Sequence, residues 1–454
     1  MQTQNRFIQV TALALGIAGA LAVGQAQASG FQLKENSVKA MGRAFAGSGV
    51  ATGDASVVVN NPATMTSFEG TTIQSDVTVV DLNAKFDGGG YAGVGFGPVS
   101  GPLTGSDGGN AGGVTPVPAM SIIHKFGNGL TVGAMVSAPF GLKTEYDDGW
   151  VGRYSALTSD VKTVDLTFSA AYEIVPDRFS VGAGIVYERA EVELSKAVDF
   201  GTALFANPAT RPLPFARPQL RDGKAVISGE DNSIGYIFGM NFRPTDKLTI
   251  GLSHRSEIDH DLTGKADWTV PADVATVLGS SPTTAPLFRD GNVKANLTTP
   301  SITSLSVAYQ FNDQLAIMAD YAETDWHSLQ EVRIDFVNPD PDSVEDFSWG
   351  DTRFWSIGAE YKLSEAFTLR GGYAYDETPT TFATRTPRLP DEDRRWYSFG
   401  ITWNMSEQIE INAAYTRIQP DKPKIGVLDA QRHSLFGEFS SDVNLFGVSG
   451  RYSF

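Results

Sequence analysis

The chain has 454 residues, with 52 acidic and 35 basic side chains, a formal charge of −17, 47 glycines, 41% hydrophobic residues and no cysteine. The missing cysteines exclude disulfides, thiolate nucleophiles and cysteine metal sites, and the acidic balance argues against a nucleic-acid partner. A chain of this length would ordinarily form two or three soluble domains, yet after residue 23 no run of about 18 apolar residues occurs, so no further helical membrane span is expected.

The first residues read as a targeting segment. Arg6 supplies a positive start, "TALALGIAGALAV" (11–23) an apolar core, and Ala26-Gln27-Ala28 a small-x-small cleavage pattern. This predicts a secretory signal over 1–28 and a mature start near Ser29. Residues 29–69 follow as a separate unit. Val38, Met41 and Phe45 have helical spacing, and Gly47, Gly49 and Gly53 then interrupt it. Asn60, Asn61 and Pro62 favour turns over strands. The expectation is a small piece of short helices and turns, too small to hold a core of its own.

From residue 70 the pattern changes to a period of two. In 163–174, Val164, Leu166, Phe168, Ala170, Tyr172 and Ile174 share one face, with Asp165, Thr167, Ser169 and Glu173 on the other. Similar alternation runs through 353–363, 397–403 and the tail "FGVSGRYSF", where Phe446, Val448, Tyr452 and Phe454 align. One apolar and one polar face fit a strand with lipid outside and a polar lumen inside. Tight turns are predicted at 127–129, 176–178, 244–246, 312–313, 364–365 and 404–406. Long connections are predicted near 84–117, 196–226, 263–293, 337–350, 379–390 and 421–437. Six tight turns join twelve strands, and end strands near 71–83 and 438–454 make fourteen. The fold class is therefore all-β: a 14-stranded antiparallel transmembrane β-barrel over 70–454, in the outer membrane of a bacterium among its lipid and lipopolysaccharide. A barrel this wide is not filled by its own side chains, so residues 29–69 are expected to sit inside it as a helical hatch.

"GFQLKENSVKAMGRAFAGSGVATGDASVVVNNPA", with Gly30-Phe31-Gln32-Leu33, Gly42-Arg43-Ala44-Phe45, Gly47 and Asn61-Pro62-Ala63, resembles the N-terminal hatch of the FadL-type long-chain fatty acid transporters. "FGLKTEYDDGWVGRY" (140–154), "HRSEIDHDLTG" (254–264) and "RLPDEDRRW" (388–396) resemble the same family. The resemblance implies a monomeric barrel closed by the hatch. It also implies passive uptake of a long-chain fatty acid or similar hydrophobic molecule, with lateral exit where the third strand kinks, at Pro139 and Gly141. Proline within a strand marks an edge, bulge or kink.

A fatty acid needs an apolar slot and a cation for its carboxylate. The candidate cations are Arg43, Lys143, Arg153, Arg189 and Lys196, with Phe31 and Phe45 as apolar contacts and Phe31 as a possible gate. One basic position of the family falls on Leu194, and another in the acidic "DPDSVEDF", which favours an uncharged aromatic or alkane cargo as the alternative. Segment 202–220 would suit a first capture groove or form a Pro-rich loop. The acidic 338–347 could hold Ca²⁺ or bridge lipopolysaccharide. No cofactor, metal site or catalytic constellation is expected; a general porin or an outer-membrane lipase is a weaker reading.

Overall fold

A computed structural model describes residues 30–454; the predicted signal segment 1–28 and Ser29 lie outside the described residues. Fourteen antiparallel strands close into a barrel. In chain order they are Thr71–Ala92; Val114–Lys125; Leu130–Ser137 continued by Gly141–Glu145; Thr158–Val175; Phe179–Asp199; Asp222–Thr245; Leu248–Arg255 continued by Ile258–Thr269; Gly291–Thr299 with Ile302–Gln310; Leu315–Thr324 with Glu331–Phe336; Ser343–Asp346 with Thr352–Lys362; Phe367–Asp376; Arg394–Asn404; Ile409–Pro420 with Lys424–Leu428; and Ser434–Ser453. Each pairs with its neighbour in sequence. The first and last close the ring, from Thr72 opposite Ser453 to Tyr91 opposite Ser434. The terminal bonds are reciprocal: Thr71 N donates to Phe454 O at 2.8 Å and Phe454 N to Thr71 O at 2.9 Å.

The alternation read from sequence is the lipid face. Phe168, Tyr172 and Ile174 on the fourth strand, Tyr397, Phe399 and Trp403 on the twelfth, and Phe446, Val448 and Phe454 on the last are all exposed, while Asp165, Thr167 and Ser169 are buried inside. Pairing of the first strand with the last removes the terminal edges of the sheet, as a membrane-crossing β-structure requires. The tight turns stand where expected. Phe126 N bonds Leu130 O, Phe311 N bonds Leu315 O, Leu363 N bonds Phe367 O and Met405 N bonds Ile409 O.

Two sequence expectations are corrected. Several predicted long connections are partly strand: the first strand runs on to Ala92, the fifth to Asp199, and the sixth starts at Asp222. Beyond the lipid belt the outward positions become Lys85 and Asp87, or Arg189, Glu191 and Glu193, so the hydrophobic period vanishes while the hydrogen-bond ladder continues. The helix expected through Phe45 spans only Val38–Met41, because Ala44 and Phe45 take φ of 53° and 62°, which no α-helix accommodates.

Phe168 sits mid-belt on the fourth strand and is 56% exposed to the lipid side. Phe168→Arg should destabilise the barrel by about 2–4 kcal/mol, read from urea unfolding in liposomes. A shift below half that range would place this face outside the membrane.

Candidate functional site

The hatch, residues 30–70, is seated by contacts around the barrel. Ser37 caps its first helix by accepting from Ala40 N, and Asp76 of the first strand accepts from Val38 N at 2.9 Å. Lys39 reaches Glu410 of the thirteenth strand at 3.0 Å. Arg43, with no exposed surface, donates to Glu360 of the tenth strand at 2.7 Å and to Ala46 O at 2.6 Å. The Asn61-Pro62-Ala63 motif opens the 3₁₀ helix Pro62–Ser67. Asn61 Oδ1 accepts from Ala63 N, its Nδ2 donates to Met240 O of the sixth strand, and Ser180 of the fifth donates to Ala63 O. Wall glycines make room for this seating. A Cβ on Gly239 would lie 2.0 Å from Asn61 Oδ1, and one on Gly372 would lie 2.2 Å from the Arg43 carbonyl.

The ladder between the second and third strands is interrupted beside the hatch. The second and third strands pair from Met120–Val136 to Lys125–Thr131 and no further. They meet again only where Glu145 N donates to Ala111 O at 3.0 Å. Between these points, 112–119 face 137–144 without ladder bonds, forming a window. Pro139 lies in the break between Ser137 and Gly141, where the third strand's upper part leans on the fourth. Each freed edge carries fewer unpaired donors than an ordinary strand edge would. On the third-strand side the hatch supplies a substitute strand: Leu33 N donates to Pro139 O and Gly141 N to Phe31 O, each at 2.7 Å, with Gln32 bridging Phe140. On the second-strand side the parity of the ladder matters. Gly113 O accepts from Leu82 N, and Lys125 N donates to Gly70 O, so odd residues of this strand point their backbone groups at the first strand. Even residues therefore point theirs at the window, and two of them, Pro116 and Pro118, have no N–H to leave unpaired. The eleventh-to-twelfth connection holds the third strand from inside: Thr144 donates to Arg388 O at 3.0 Å and Tyr146 to Pro387 O at 2.7 Å.

Behind the window lies a cavity of about 110 Å³ between hatch and wall, lined by Leu33, Lys34, Phe45, Pro139, Arg255 and Phe354, among others. Next to Gln32 and Leu33 of its lining, Phe31 sits in an aromatic cluster, its ring 5.8 Å from Phe140, 4.9 Å from Trp326 and 6.0 Å from Trp349. Arg255 arrives here because the seventh strand breaks after it; the guanidinium is held by Asp165 at 2.6 Å and Glu188 at 2.7 Å. The structure thus brings together Phe31, Phe45, Pro139 and Gly141 of the residues singled out from sequence, with Arg43 beneath them inside the hatch.

It does not bring the other cations here. Arg189 lies on the outer face, paired with Glu191 at 2.8 Å and Glu230 at 2.5 Å, because odd positions of the fifth strand face outward. Lys143, on the window edge, pairs with Glu145 at 3.6 Å and does not line the cavity. Lys196 stands opposite Ala225 near the outer end of the fifth strand. Arg153 belongs to the outer connections: it donates to Asp222 at 2.8 Å and stacks on Tyr154. Tyr154 in turn stacks on His433, which bridges Asp199 at 3.1 Å and Asp429 at 2.8 Å. The acidic 338–347 is used structurally: Asp340 accepts from Phe288 N at 2.8 Å, and Ser343–Asp346 pairs with Glu331–Phe336. Segment 202–220 is folded, with helix Phe200–Ala206 packed through Phe200 and Leu204 against Val274 of helix Ala272–Gly279. Sequence reading missed Lys34, Arg255 and the proline pair; the available signal was two prolines at even positions of a strand otherwise rich in valine and isoleucine.

Gly372→Leu should unseat the hatch while the wall still closes. Ion conductance in planar bilayers should rise several-fold, and an unchanged conductance would show that the contact at Arg43 is dispensable. A second expectation concerns pH. Burial disfavours the charged form of His433, but its hydrogen bonds to Asp199 and Asp429 outweigh this and raise its pKa to about 9. The folded value exceeds the unfolded value of about 6.5, so the stabilisation is full below that pH and is lost as pH rises through about 9. Protease sensitivity of the outer connections should increase between about pH 7 and pH 10, and His433→Gln should flatten the profile.

Residues 19–454 match the family described as outer membrane protein transport protein (OMPP1/FadL/TodX). Outer membrane protein P1 of Haemophilus influenzae is 28% identical over 467 residues, covering 97% of this chain and 98% of that protein. The long-chain fatty acid transport protein of Salmonella typhi is 28% identical over 452 residues, covering 98% of each. The crystal structure of a Pseudomonas aeruginosa FadL homologue superposes with a TM-score of 0.86 at 27% identity, covering 94% of this chain and all of that one. The hatch, the closed fourteen-stranded wall and these relationships together show that the chain belongs to the OMPP1/FadL/TodX family of outer membrane transport proteins.

Proposed function

We propose that the chain takes up long-chain fatty acids or similar hydrophobic molecules across the outer membrane by passive diffusion, as a monomer among lipid and lipopolysaccharide, with hatch movement and lateral release at the kinked third strand. No catalytic step is part of this reading. The observation that carries it is the window between 112–119 and 137–144, where two prolines remove donors from one edge and the hatch bonds part of the other. Returning a buried methylene to water costs roughly 0.8 kcal/mol, so a chain of about sixteen methylenes would lose roughly 13 kcal/mol in a wet pore. A side opening avoids most of that loss. On the lipid side just below the window, a trough of about 720 Å³ runs past Ile122, Val132, Phe168, Ile185 and Phe238, floored by Gly133 and Gly184. It offers a leaving chain an apolar path.

Capture starts at the outer apolar cluster of helices Phe200–Ala206 and Ala272–Gly279. Cargo then passes inward to the cavity at Phe31. That cavity, about 110 Å³, is below the roughly 300 Å³ of an ordinary ligand pocket, so the hatch segment Phe31–Leu33 must shift to admit a chain. Because this segment is bonded to Pro139 and Gly141, its shift and the width of the window are mechanically coupled. Uptake of aromatic hydrocarbons is the second reading, and the cluster of Phe31, Phe140, Trp326 and Trp349 is what favours it.

The chain has no native cysteine, so the route can be tested by bridging the window. Pro118→Cys with Ala138→Cys, joined by a short bis-maleimide, should lower cellular uptake of labelled oleate to the level of cells lacking the gene. Binding to purified protein should survive. Undiminished uptake after complete bridging would rule out lateral release.

A further inference from the structure

We propose that Lys34 receives the head group of an anionic cargo, and so makes this transporter select carboxylates over neutral hydrocarbons. This rests on the transport reading above and adds to it the residue that sets cargo charge.

Two cations line the cavity at the window, Lys34 and Arg255. Arg255 is already neutralised by Asp165 and Glu188. Lys34 is not. Its ammonium lies 4.1 Å from the centroid of the Phe354 ring and makes no ion pair or hydrogen bond with any described residue. Two nearby carboxylates already accept backbone hydrogen bonds. Asp320 accepts from Ser48 N at 3.0 Å, and Glu35 accepts from the Lys34 backbone N–H at 2.9 Å. Asp376, Asp320 and Glu35 also act electrostatically on the ammonium. Lys34 is half-buried, and its ammonium rests against an aromatic face with no protein counter-ion; a carboxylate at that point gains a charge-assisted hydrogen bond.

The geometry also fixes which end of the cargo enters. A cavity of about 110 Å³ holds a head group and little more. The chain would run past Ala138 and Pro139, which line the same cavity and border the window. Lys34 follows directly on Phe31–Leu33, the segment that substitutes for the missing strand. Head-group binding therefore pulls on the residues that hold the third strand in place.

The test uses purified full-length protein in detergent, with oleate and methyl oleate as probes of equal chain length and different charge. Wild type should prefer oleate by about 10- to 100-fold, the scale of one charge-assisted hydrogen bond. Lys34→Met should reduce oleate affinity to that of methyl oleate, and Lys34→Arg should restore most of the preference. The oleate-to-methyl-oleate ratio within each variant cancels any loss of folded protein. Equal wild-type affinity for the two probes, or an undiminished preference in Lys34→Met, would overturn the assignment while leaving uptake through the window intact. Failure of wild type to bind either probe would overturn this assignment and the transport reading together.

Discussion

The structure depends on one constraint: a backbone N–H or C=O facing hydrocarbon must have a partner. A closed barrel meets it everywhere by pairing each strand with two neighbours, and that pairing forbids any opening to the bilayer. The window between the second and third strands is an exception obtained by meeting the constraint in two other ways. Pro116 and Pro118 remove donors from one edge. The hatch segment Phe31–Leu33 supplies partners to the other, at Pro139 and Gly141. Neither device alone suffices. Without the prolines the second strand would present free amides to lipid, and without the hatch segment the third strand would be drawn back onto the second.

This arrangement gives the hatch two tasks that a simple stopper would not have. Its lower part, from Val38 to Ser67, is fixed to the wall by Lys39 to Glu410, Arg43 to Glu360 and Asn61 to Met240 O, with glycines clearing the space. Its first residues, Gly30 to Leu33, instead form part of the wall and of the aromatic cluster at Trp326. The first described residue is tied as well: Gly30 N donates to Asp391, which also holds Arg394. A firmly seated body with a separately bonded tip can move at the tip without vacating the lumen.

The parts of this design differ in how visibly they are written in the sequence. The lipid belt was legible because bilayer and lumen impose opposite chemistries on alternate residues; Leu166, Phe168 and Tyr172 against Asp165, Thr167 and Ser169 need no further context. The strand ends beyond Lys85 or Arg189 were not, since water on both sides removes the contrast while the ladder goes on. Pro139 was visible because proline has a fixed local meaning. The cations were the weakest part. Arg189 and Lys34 are both basic residues beside apolar ones in sequence, yet one faces solvent with Glu191 and Glu230, and the other sits unpaired over Phe354. What separates them is strand parity and the path of the hatch, which only the assembled barrel determines.

Cargo charge follows from the same logic of satisfied groups. The Arg255, Asp165 and Glu188 cluster balances the guanidinium charge internally, although Arg255 Nε and Asp165 Oδ1 lack hydrogen-bond partners. Lys34 leaves an interaction open one residue beyond the hatch segment that bonds the third strand. If the lumen served neutral hydrocarbons, an apolar residue at that place would pack on Phe354 and lose only the cation–π attraction. An ammonium retained beside the window is best accounted for by a cargo that carries the opposite charge. Binding and opening would then involve one short peptide: the group that recognises the head of the molecule is one residue away from the bonds that hold the exit for its tail.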